Sequence, residues 1–333
     1  MTSYRTTTEL TRIRDLVRSL AASHAHVFRR TDLVGWGVEP TVTITMMRRD
    51  WWARVHHGVY ADAQVLREAT ARERHRIDAA ASIAALAGPA HAFGVSGAIA
   101  HDLPLPGSLV SRVELIRPMG HDGRALSRRV SARDRLDAAT IRGHRLSADD
   151  VTIAGGLATV NRLLAAVSAA AHLDDEWAVA VLDAAAWRDE SAIDRMSVYA
   201  ERFAHLRGIG TVRRALPLAR TGAQTPLETF SRLRLVERGL PEPQLQVPLY
   251  DDDGLIGYVD ALWLELGVVG EADGLVKYGG GSDTVVAEKR REDRIRALGY
   301  AVVRWTWDEI MLRPGVVVAR IREAARWSAR RAG

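Results

Sequence analysis

The chain has 333 residues and a formal net charge of +5 at pH 7, and this length is enough for two or three domains. It contains no cysteine, which excludes disulfides, thiolate nucleophiles and cysteine-based zinc sites. No apolar stretch approaches the roughly 20 residues needed to cross a bilayer, and no secretory leader precedes the first predicted helix. We therefore expect a cytoplasmic protein with no membrane partner.

The N-terminal part is the most basic by residue, with nine arginines against six acids in residues 1–64. Its pattern predicts an amphipathic helix over 9–23, a second short helix that begins at Phe28, and a third helix over 40–49. Residues 51–61 predict a hairpin. Three helices and a hairpin are typical of a winged helix-turn-helix, in which the third helix enters the major groove and the wing touches the backbone.

The same stretch resembles the N-terminal domain of the AbiEi-type antitoxins, the repressor partners of type IV toxin–antitoxin systems. Phe28, residues 31–33, the turn at 35–38 and residues 54–60 carry the resemblance. It implies DNA as a partner and a toxin protein as a second candidate partner. By position, the residues expected to face DNA are Thr41, Thr43, Thr45, Arg48 and Arg49 on the third helix and Arg54 and His56 on the wing. Winged helices also serve as protein-docking modules, and that alternative stays open.

The middle of the chain carries the least functional information. Helical patterns over 71–86, 160–171, 176–187 and 191–207 surround one strand-like segment at 112–117. Similar segments follow the winged helix in AbiEi-like proteins, so the resemblance extends to about residue 215. We expect a mostly helical middle domain over residues 65–223.

Carboxylates recur in short apolar segments of the C-terminal third. Asp260 lies within the segment 258–264 and Glu271 ends the segment 267–271, with a turn signal between them. The two segments predict a hairpin, and because neighbouring strands lie about 4.8 Å apart, their carboxylates can meet at one point. Two or three converging carboxylates bind Mg²⁺, which keeps waters and a phosphate oxygen as its other ligands. The pattern therefore predicts a metal-dependent nuclease centre.

The surrounding elements agree with this prediction. A helix over 226–238 carries Glu228 in its first turn, where the helix dipole favours a carboxylate. A charged helix and a buried strand follow the hairpin. In this order, residues 224–326 resemble the very-short-patch-repair-like endonucleases, a branch of the PD-(D/E)xK nuclease fold. Six ordered pieces carry the resemblance: 225–228, 239–243 with Gln246, 259–260, 271–274, 291–294 and 299–305.

The resemblance implies roles for five residues. Asp260 would be the central ligand of Mg²⁺ or Mn²⁺, Glu271 a second ligand, and Glu228 an outer carboxylate acting directly or through water. Asp273 occupies the position at which many nucleases of this fold place lysine. Many relatives also have a histidine near the position of Lys277, and this chain has none there. Lys277, one of two lysines in the chain, would supply the missing positive charge beside the attacking water or the transition state.

The sequence therefore predicts a multi-domain α/β (α+β) protein with a winged helix at 1–64, the middle domain at 65–223 and a restriction-endonuclease-like mixed sheet flanked by helices at 224–333. We expect a DNA-binding protein that hydrolyses phosphodiester bonds in DNA repair, restriction or phage defence. One alternative is a non-enzymatic AbiEi-like antitoxin and transcriptional repressor with a degenerate nuclease fold, favoured by Asp273 in the place of lysine. Another is a protein-interaction module of a toxin–antitoxin pair.

Overall fold

A computed structural model of the protein describes residues 6–86, 88–109, 112–119, 139–273 and 282–332, without the side chains of residues 139–141, 282–285 and 331–332. The chain is a multi-domain α+β protein. It divides into two compact units: Met1–Leu173 with Arg195–Arg213, and Asp174–Asp194 with Arg214–Gly333. The first unit contains the predicted winged helix together with most of the predicted middle domain.

The first six elements have the order of a winged helix-turn-helix. They are helix α1 (Thr7–Ala22), strand β1 (Val27–Arg29), helices α2 (Arg30–Gly35) and α3 (Val42–Arg48), and strands β2 (Trp52–His56) and β3 (Val59–Asp62). Strand β3 lies between β1 and β2 and pairs antiparallel with both. The helices and the small sheet enclose one apolar core that includes Leu10, Phe28, Leu33, Met46 and Trp52.

Phe28 was predicted to begin the second helix, and that prediction is wrong. Phe28 lies in β1, opposite Tyr60 of β3, and α2 begins at Arg30. The Phe28 ring packs edge-on against Trp52 with 4.7 Å between centroids. A strand of three residues is too short for a periodic signal, so only its pairing with β3 reveals it.

The middle of the chain contains more strand than the sequence predicts. Its elements are α4 (Ala63–Glu68), α5 (Ala71–Ala85), β4 (His91–Ala92), α6 (Gly94–Ala100), β5 (Val113–Pro118), β6 (Ala139–His144), β7 (Val151–Ala154), β8 (Leu157–Val160), α7 (Arg162–Ala170), α8 (Asp175–Ala186), α9 (Ala192–Arg202) and α10 (Ile209–Ala215). Strands β4 to β8 form a five-stranded mixed sheet in the order β6-β5-β4-β8-β7. The expectation of a single strand is thus corrected, although helices still predominate, because strands of two to six residues give little alternation to detect.

The second unit is a mixed sheet flanked by helices, as the sequence predicts. Its elements after α8 are α11 (Pro226–Glu237), β9 (Gln244–Asp251), β10 (Gly254–Trp263), β11 (Val268–Asp273), α12 (Ser282–Ala297), β12 (Ala301–Thr306), α13 (Trp307–Leu312) and α14 (Pro314–Ala332). The sheet order is β12-β11-β10-β9, with β11 and β12 parallel and the other pairs antiparallel. One apolar cluster joins the sheet to α11, α13 and α14, and a second joins it to Ile295 of α12.

Helix α8 belongs to the second unit, and a buried ion pair is one of its contacts with α11. Asp183 of α8 is fully buried, and its carboxylate accepts hydrogen bonds from Arg232 at 3.0 Å and Thr229 at 2.8 Å, both in α11. The backbone N–H of Arg220 donates to the other carboxylate oxygen at 2.7 Å. The sequence placed this helix in the middle domain, since nothing in its own pattern identifies the partner across the fold. Among the helices that the structure describes, none has the length and apolarity to cross a membrane.

Candidate functional site

Glu228 is held at the start of α11 by the residues that cap the helix. Thr225 is the N-cap, and its hydroxyl accepts from the Glu228 N–H at 3.3 Å and donates to Glu228 Oε1 at 2.8 Å. The backbone N–H of Gln224 donates to Oε2 at 3.0 Å. Pro226 at the first helical position has no N–H to leave unpaired. These contacts fix a carboxylate that is only 8% exposed.

Asp260 lies close to Glu228, and Gln246 joins the two. The Gln246 side-chain N–H₂ donates to Asp260 Oδ1 at 3.0 Å and to Glu228 Oε2 at 3.3 Å. The backbone N–H of Ala272 in β11 donates to Asp260 Oδ2 at 2.9 Å. We call Glu228, Gln246 and Asp260 the carboxylate cluster. One amide nitrogen thus contacts carboxylates from a helix and from a central strand.

A local irregularity in the sheet assembles this cluster. Val259 belongs to the apolar cluster on the α12 face, whereas Ala261 belongs to the cluster on the α11 face. Residues two apart in a regular strand share a face, so the alternation is broken at Asp260. On the neighbouring strand, Gln246 lies opposite Asp260 and has a φ of 48°, a left-handed conformation that is uncommon for residues other than glycine. Such conformations cluster at functional sites because the surrounding structure must hold them.

The environment of Asp260 disfavours its charge. Asp260 and Glu228 line a small cavity whose other walls are mainly apolar, among them Leu245, Trp263 and Trp305. Burial, together with the neighbouring carboxylate of Glu228, raises the pKa of Asp260 to about 6. The hydrogen bonds from Ala272 and Gln246 act in the opposite direction without cancelling the effect. A buried acid with a raised pKa beside a second carboxylate is characteristic of a functional site.

Glu271 has different partners. It lies in β11, is 8% exposed, and accepts a hydrogen bond from Arg291 of α12 at 2.7 Å and a longer one from Arg304 of β12 at 3.4 Å. Arg291 also donates to the backbone carbonyl of Tyr258 at 2.9 Å, and both arginines pair with Glu288. Burial raises the pKa of Glu271 even though the two arginines lower it. Glu271 therefore belongs to a half-buried ion-pair network with Arg291, Arg304 and Glu288.

The two metal ligands predicted from the sequence have different hydrogen-bond partners. Gln246 joins Asp260 to Glu228, while Glu271 accepts hydrogen bonds from Arg291 and Arg304. Within the described ranges, no group of three or more carboxylate or histidine side chains could hold a metal ion. Mg²⁺ commonly uses one or two carboxylates with waters and phosphate oxygens, so the chemistry of Glu228 and Asp260 suits such an ion.

The last two predicted catalytic residues lie at or beyond residue 273, where the described segment 139–273 ends. Asp273 ends β11, pairs in register with Thr306 of β12 and is half-buried. Being two residues beyond Glu271, it belongs to the same face of the sheet, and its charge acts on Arg304. Lys277 lies outside the described residues.

Three residues of the site had no predicted role. Gln246, Arg291 and Arg304 each lie in a segment that carries the nuclease resemblance, yet a role for each depends on which side chain it meets. The charge of Arg291 acts on both Glu271 and Asp260, so this arginine connects the ion-pair network to the carboxylate cluster. In a chain with 46 lysines and arginines, no feature of the sequence distinguishes these two arginines from the others.

The predicted DNA-facing residues divide into exposed and buried ones. Thr41, Thr45 and Arg48 are exposed at α3, and Arg54 is exposed on β2. Arg49 is also exposed, but its guanidinium lies over the Trp51 ring at 5.4 Å from the centroid. An exposed surface with two threonines and two arginines is suited to phosphate and base contacts.

Two of the predicted DNA contacts are corrected by the structure. Thr43 has no exposed surface, and its hydroxyl donates to the Pro40 carbonyl at 2.8 Å, because this side of α3 packs into the core. His56 is half-buried against α5, where its Nε2 lies 3.3 Å from the Ser82 hydroxyl. The register of β2 shifts between Arg54 and His56, which removes His56 from the exposed side of the wing. Burial lowers the pKa of His56, so its imidazole is neutral at pH 7.

Comparison with known proteins gives relatives without a described activity. No family model matches the chain. The uncharacterized proteins Rv2248 and MT2308, from two strains of Mycobacterium tuberculosis, are each 30% identical to it over 169 residues. The match covers 51% of this chain and 62% of each relative, so the chain spans less than two thirds of the length of these relatives.

Proposed function

We propose that the protein binds DNA through its winged helix and hydrolyses phosphodiester bonds at the carboxylate cluster, with Mg²⁺ or Mn²⁺ as the cofactor. One observation carries this proposal: Glu228 and Asp260, from different elements, share the Gln246 amide beside an apolar cavity. Burying two carboxylates together is costly unless a positive charge joins them. A divalent cation would supply that charge.

Glu228 and Asp260 would hold the cation, and the Gln246 carboxamide could offer its oxygen after a half-turn of the side chain. When bound, the cation would lower the pKa of a water ligand and offset charge on the phosphodiester. Glu271 orients the guanidinium of Arg291 through the 2.7 Å hydrogen bond. Arg291 stays protonated and cannot act as a base, so its role would be to stabilise charge on the phosphate in the transition state. Lys277 remains a predicted second source of positive charge.

On the DNA-binding side, Thr41, Thr45 and Arg48 of the exposed α3 surface would enter the major groove, and Arg54 would contact the backbone. This division of labour assigns recognition to the first unit and hydrolysis to the second. The setting we propose is cytoplasmic DNA repair, restriction or phage defence.

A second function is favoured by the two arginines that hold Glu271. If this ion-pair network has replaced a two-ligand metal centre, the second unit is a scaffold, and the protein is a non-enzymatic repressor of the antitoxin type. A toxin protein would then be a candidate partner of this scaffold. A nuclease fold can persist without its activity, so the distinction depends on a cutting assay.

The test uses the full chain with supercoiled plasmid and with a linear single strand, in Mg²⁺, Mn²⁺ or chelator. Asp260→Asn is compared with Asp252→Asn, which alters an exposed turn residue by the same chemical change. The proposal expects metal-dependent cutting that only Asp260→Asn abolishes, with DNA retention on a gel unchanged in both variants. Retention of DNA without cutting in any metal would overturn the nuclease and support the repressor.

A further inference from the structure

The first unit contains a cavity of about 190 Å³ that the DNA-binding and carboxylate sites do not use. Its inner walls are apolar and buried: Phe93, Ile116, Phe203 and Leu206. An apolar cavity of about 150 Å³ is large enough to hold a benzene ring. This cavity therefore has room for one aromatic ring or a small fused pair.

Flat aromatic side chains form one side of the cavity. The imidazole of His144 stacks on the Phe203 ring with 3.9 Å between centroids and an interplanar angle of 17°. Phe93 lies 5.8 Å from Phe203. His144 Nδ1 lies 2.9 Å from the Arg145 carbonyl, which requires the Nδ1 proton and leaves Nε2 for another partner. Stacked rings of this kind bind planar ligands whatever their hydrogen-bonding edges.

Basic groups form the outer side. Arg142, Arg202, His144 and His205 line the cavity, and the nine described lining residues include no carboxylate. Arg202 is committed to the buried Asp150, with hydrogen bonds of 2.7 and 2.9 Å to its two oxygens. Burial would raise the pKa of Asp150, but the bonds from Arg202 outweigh burial and lower this pKa to about 2. The Asp150 carboxylate is thus charged and offsets Arg202, and Arg142 is the other guanidinium among the described lining residues.

The position within the sheet also fits a ligand site. Strands β5 and β6 are parallel, with Ile116 opposite Arg142 and Pro118 opposite His144. The cavity is lined by residues from the carboxyl halves of these strands. The carboxyl ends of parallel strands are where open α/β sheets commonly bind ligands.

We propose that this cavity binds a small planar anion, an aromatic or heteroaromatic ring that carries a phosphate or a carboxylate. The ring lies against the buried aromatic wall, and the anionic group pairs with Arg142 at the rim. Such a ligand would make the first unit a sensor of a small metabolite in addition to its proposed role in DNA binding.

The test measures binding to the full-length protein by titration calorimetry and by the shift in melting temperature. The probes are adenosine and uridine 5′-monophosphates, 4-hydroxybenzoate, and the neutral parents of each. We expect at least one anion to bind with a Kd below about 1 mM. We also expect its neutral parent to bind about tenfold more weakly, because the charge-assisted contact with Arg142 is lost. Comparing the nucleotides with 4-hydroxybenzoate shows whether the site prefers a ligand that carries a phosphate or one that carries a carboxylate.

Variants locate the binding. Arg142→Gln should weaken binding of the anion about tenfold. Arg112 is an exposed arginine outside the cavity lining, so Arg112→Gln should leave the affinity for the anion unchanged. Asp260→Asn should also leave it unchanged, which separates this site from the carboxylate cluster. Failure of every probe to bind at about 5 mM would overturn the proposal. So would binding that Asp260→Asn abolishes and Arg142→Gln does not affect.

Discussion

Single residues in the second unit show how buried charges are distributed over two neighbouring networks. Asp260 and Glu228 share the amide of Gln246, whereas Glu271 accepts hydrogen bonds from Arg291 and Arg304. Burial raises the pKa of the acid in both arrangements, and in the second the two arginines oppose the rise. Each network makes a different prediction for substitution.

Asp260 should make stability depend on pH. Because burial beside Glu228 raises its pKa to about 6, the folded protein favours the protonated acid. This contribution to stability is complete below the unfolded pKa of about 3.9 and is lost as the pH rises through about 6. Above about pH 7, Asp260→Asn should therefore be more stable than the wild type by about 3 kcal/mol. The difference should fall to about half of this value at about pH 5 and nearly vanish below about pH 3.5.

Urea unfolding of the two proteins across this pH range measures the effect. Asp252→Asn is the control, because Asp252 is exposed in a turn. Parallel pH profiles for Asp260→Asn and the wild type would mean that folding does not raise the pKa of Asp260.

Cation binding at the carboxylate cluster should also depend on pH. A proton on Asp260 removes a ligand, so the affinity for Mn²⁺ should fall as the pH drops through about 6. Between pH 7.5 and 5.5, we expect a loss of about fourfold from the ionised fraction of this acid alone. Calorimetric titration with MnCl₂ at several pH values tests the loss, with Asp260→Asn as the variant that should not bind. A pH-independent affinity would place the ion elsewhere.

The Glu271–Arg291 pair is suited to a double-mutant cycle. Removal of one partner leaves the other charge half-buried, so Glu271→Gln and Arg291→Gln should each cost about 2 kcal/mol of unfolding free energy. The double variant should cost clearly less than the two single changes together, because each single change already removes the interaction between the two side chains. Urea unfolding of the four proteins gives the coupling. Strict additivity would show that the two side chains do not interact in solution.

Among the elements, α3 has one buried face and one exposed face. Met46 and Thr43 point into the winged-helix core, while Thr41, Thr45 and Arg48 are exposed. A helix of seven residues is too short to be stable alone, so its position depends on packing against β2 and α1. The exposed face is therefore presented on a rigid support, which DNA recognition requires.

Arg48 and its neighbour Arg49 provide a matched comparison for DNA binding. Arg48→Gln should weaken binding and reduce the slope of log affinity against log salt by about 1, because one phosphate contact is lost. Arg49→Gln should have the smaller effect, since the Arg49 guanidinium lies over the Trp51 ring. Fluorescence anisotropy with duplex DNA at several salt concentrations measures both slopes. Equal slopes for Arg48→Gln and the wild type would remove Arg48 from the DNA surface.

At the scale of the whole molecule, the chain leaves one compact unit and returns to it. Residues 174–194 belong to the second unit and residues 195–213 to the first. The buried pair of Asp183 and Arg232 is one of the contacts between α8 and α11. Because each unit is built from two separate segments of the chain, the chain passes between the units more than once. Neither unit is therefore a single continuous stretch of sequence.

The assignment of α8 to the second unit predicts which part of the protein Asp183→Asn destabilises. Asp183→Asn should destabilise the second unit by about 3 kcal/mol, because Arg232 stays buried without its carboxylate. Asp175 lies on the same helix as Asp183, and its ion pair with Arg214 is exposed. Asp175→Asn should therefore cost less than about 1 kcal/mol of unfolding free energy. Hydrogen exchange of the full chain should show faster exchange in residues 226–237 for Asp183→Asn. Faster exchange confined to residues 63–170 would contradict the assignment.

Local patterns in the sequence by themselves determined the α+β class, the helices and hairpin of the N-terminal part, and the helix and strand order after residue 224 apart from strand β9. They also indicated Glu228, Asp260 and Glu271 as the acids of interest. These features depend on spacings of two to four residues, which any sequence displays directly.

Only the tertiary structure decided how those acids are grouped. The left-handed conformation at Gln246 and the broken alternation at Asp260 join Asp260 to Glu228, while Glu271 meets arginines from α12 and β12. The burial of Thr43 and His56 and the placement of α8 were decided in the same way. Each depends on register and packing between segments distant in the chain, and a change of one residue in register moves a side chain to the opposite face of a sheet.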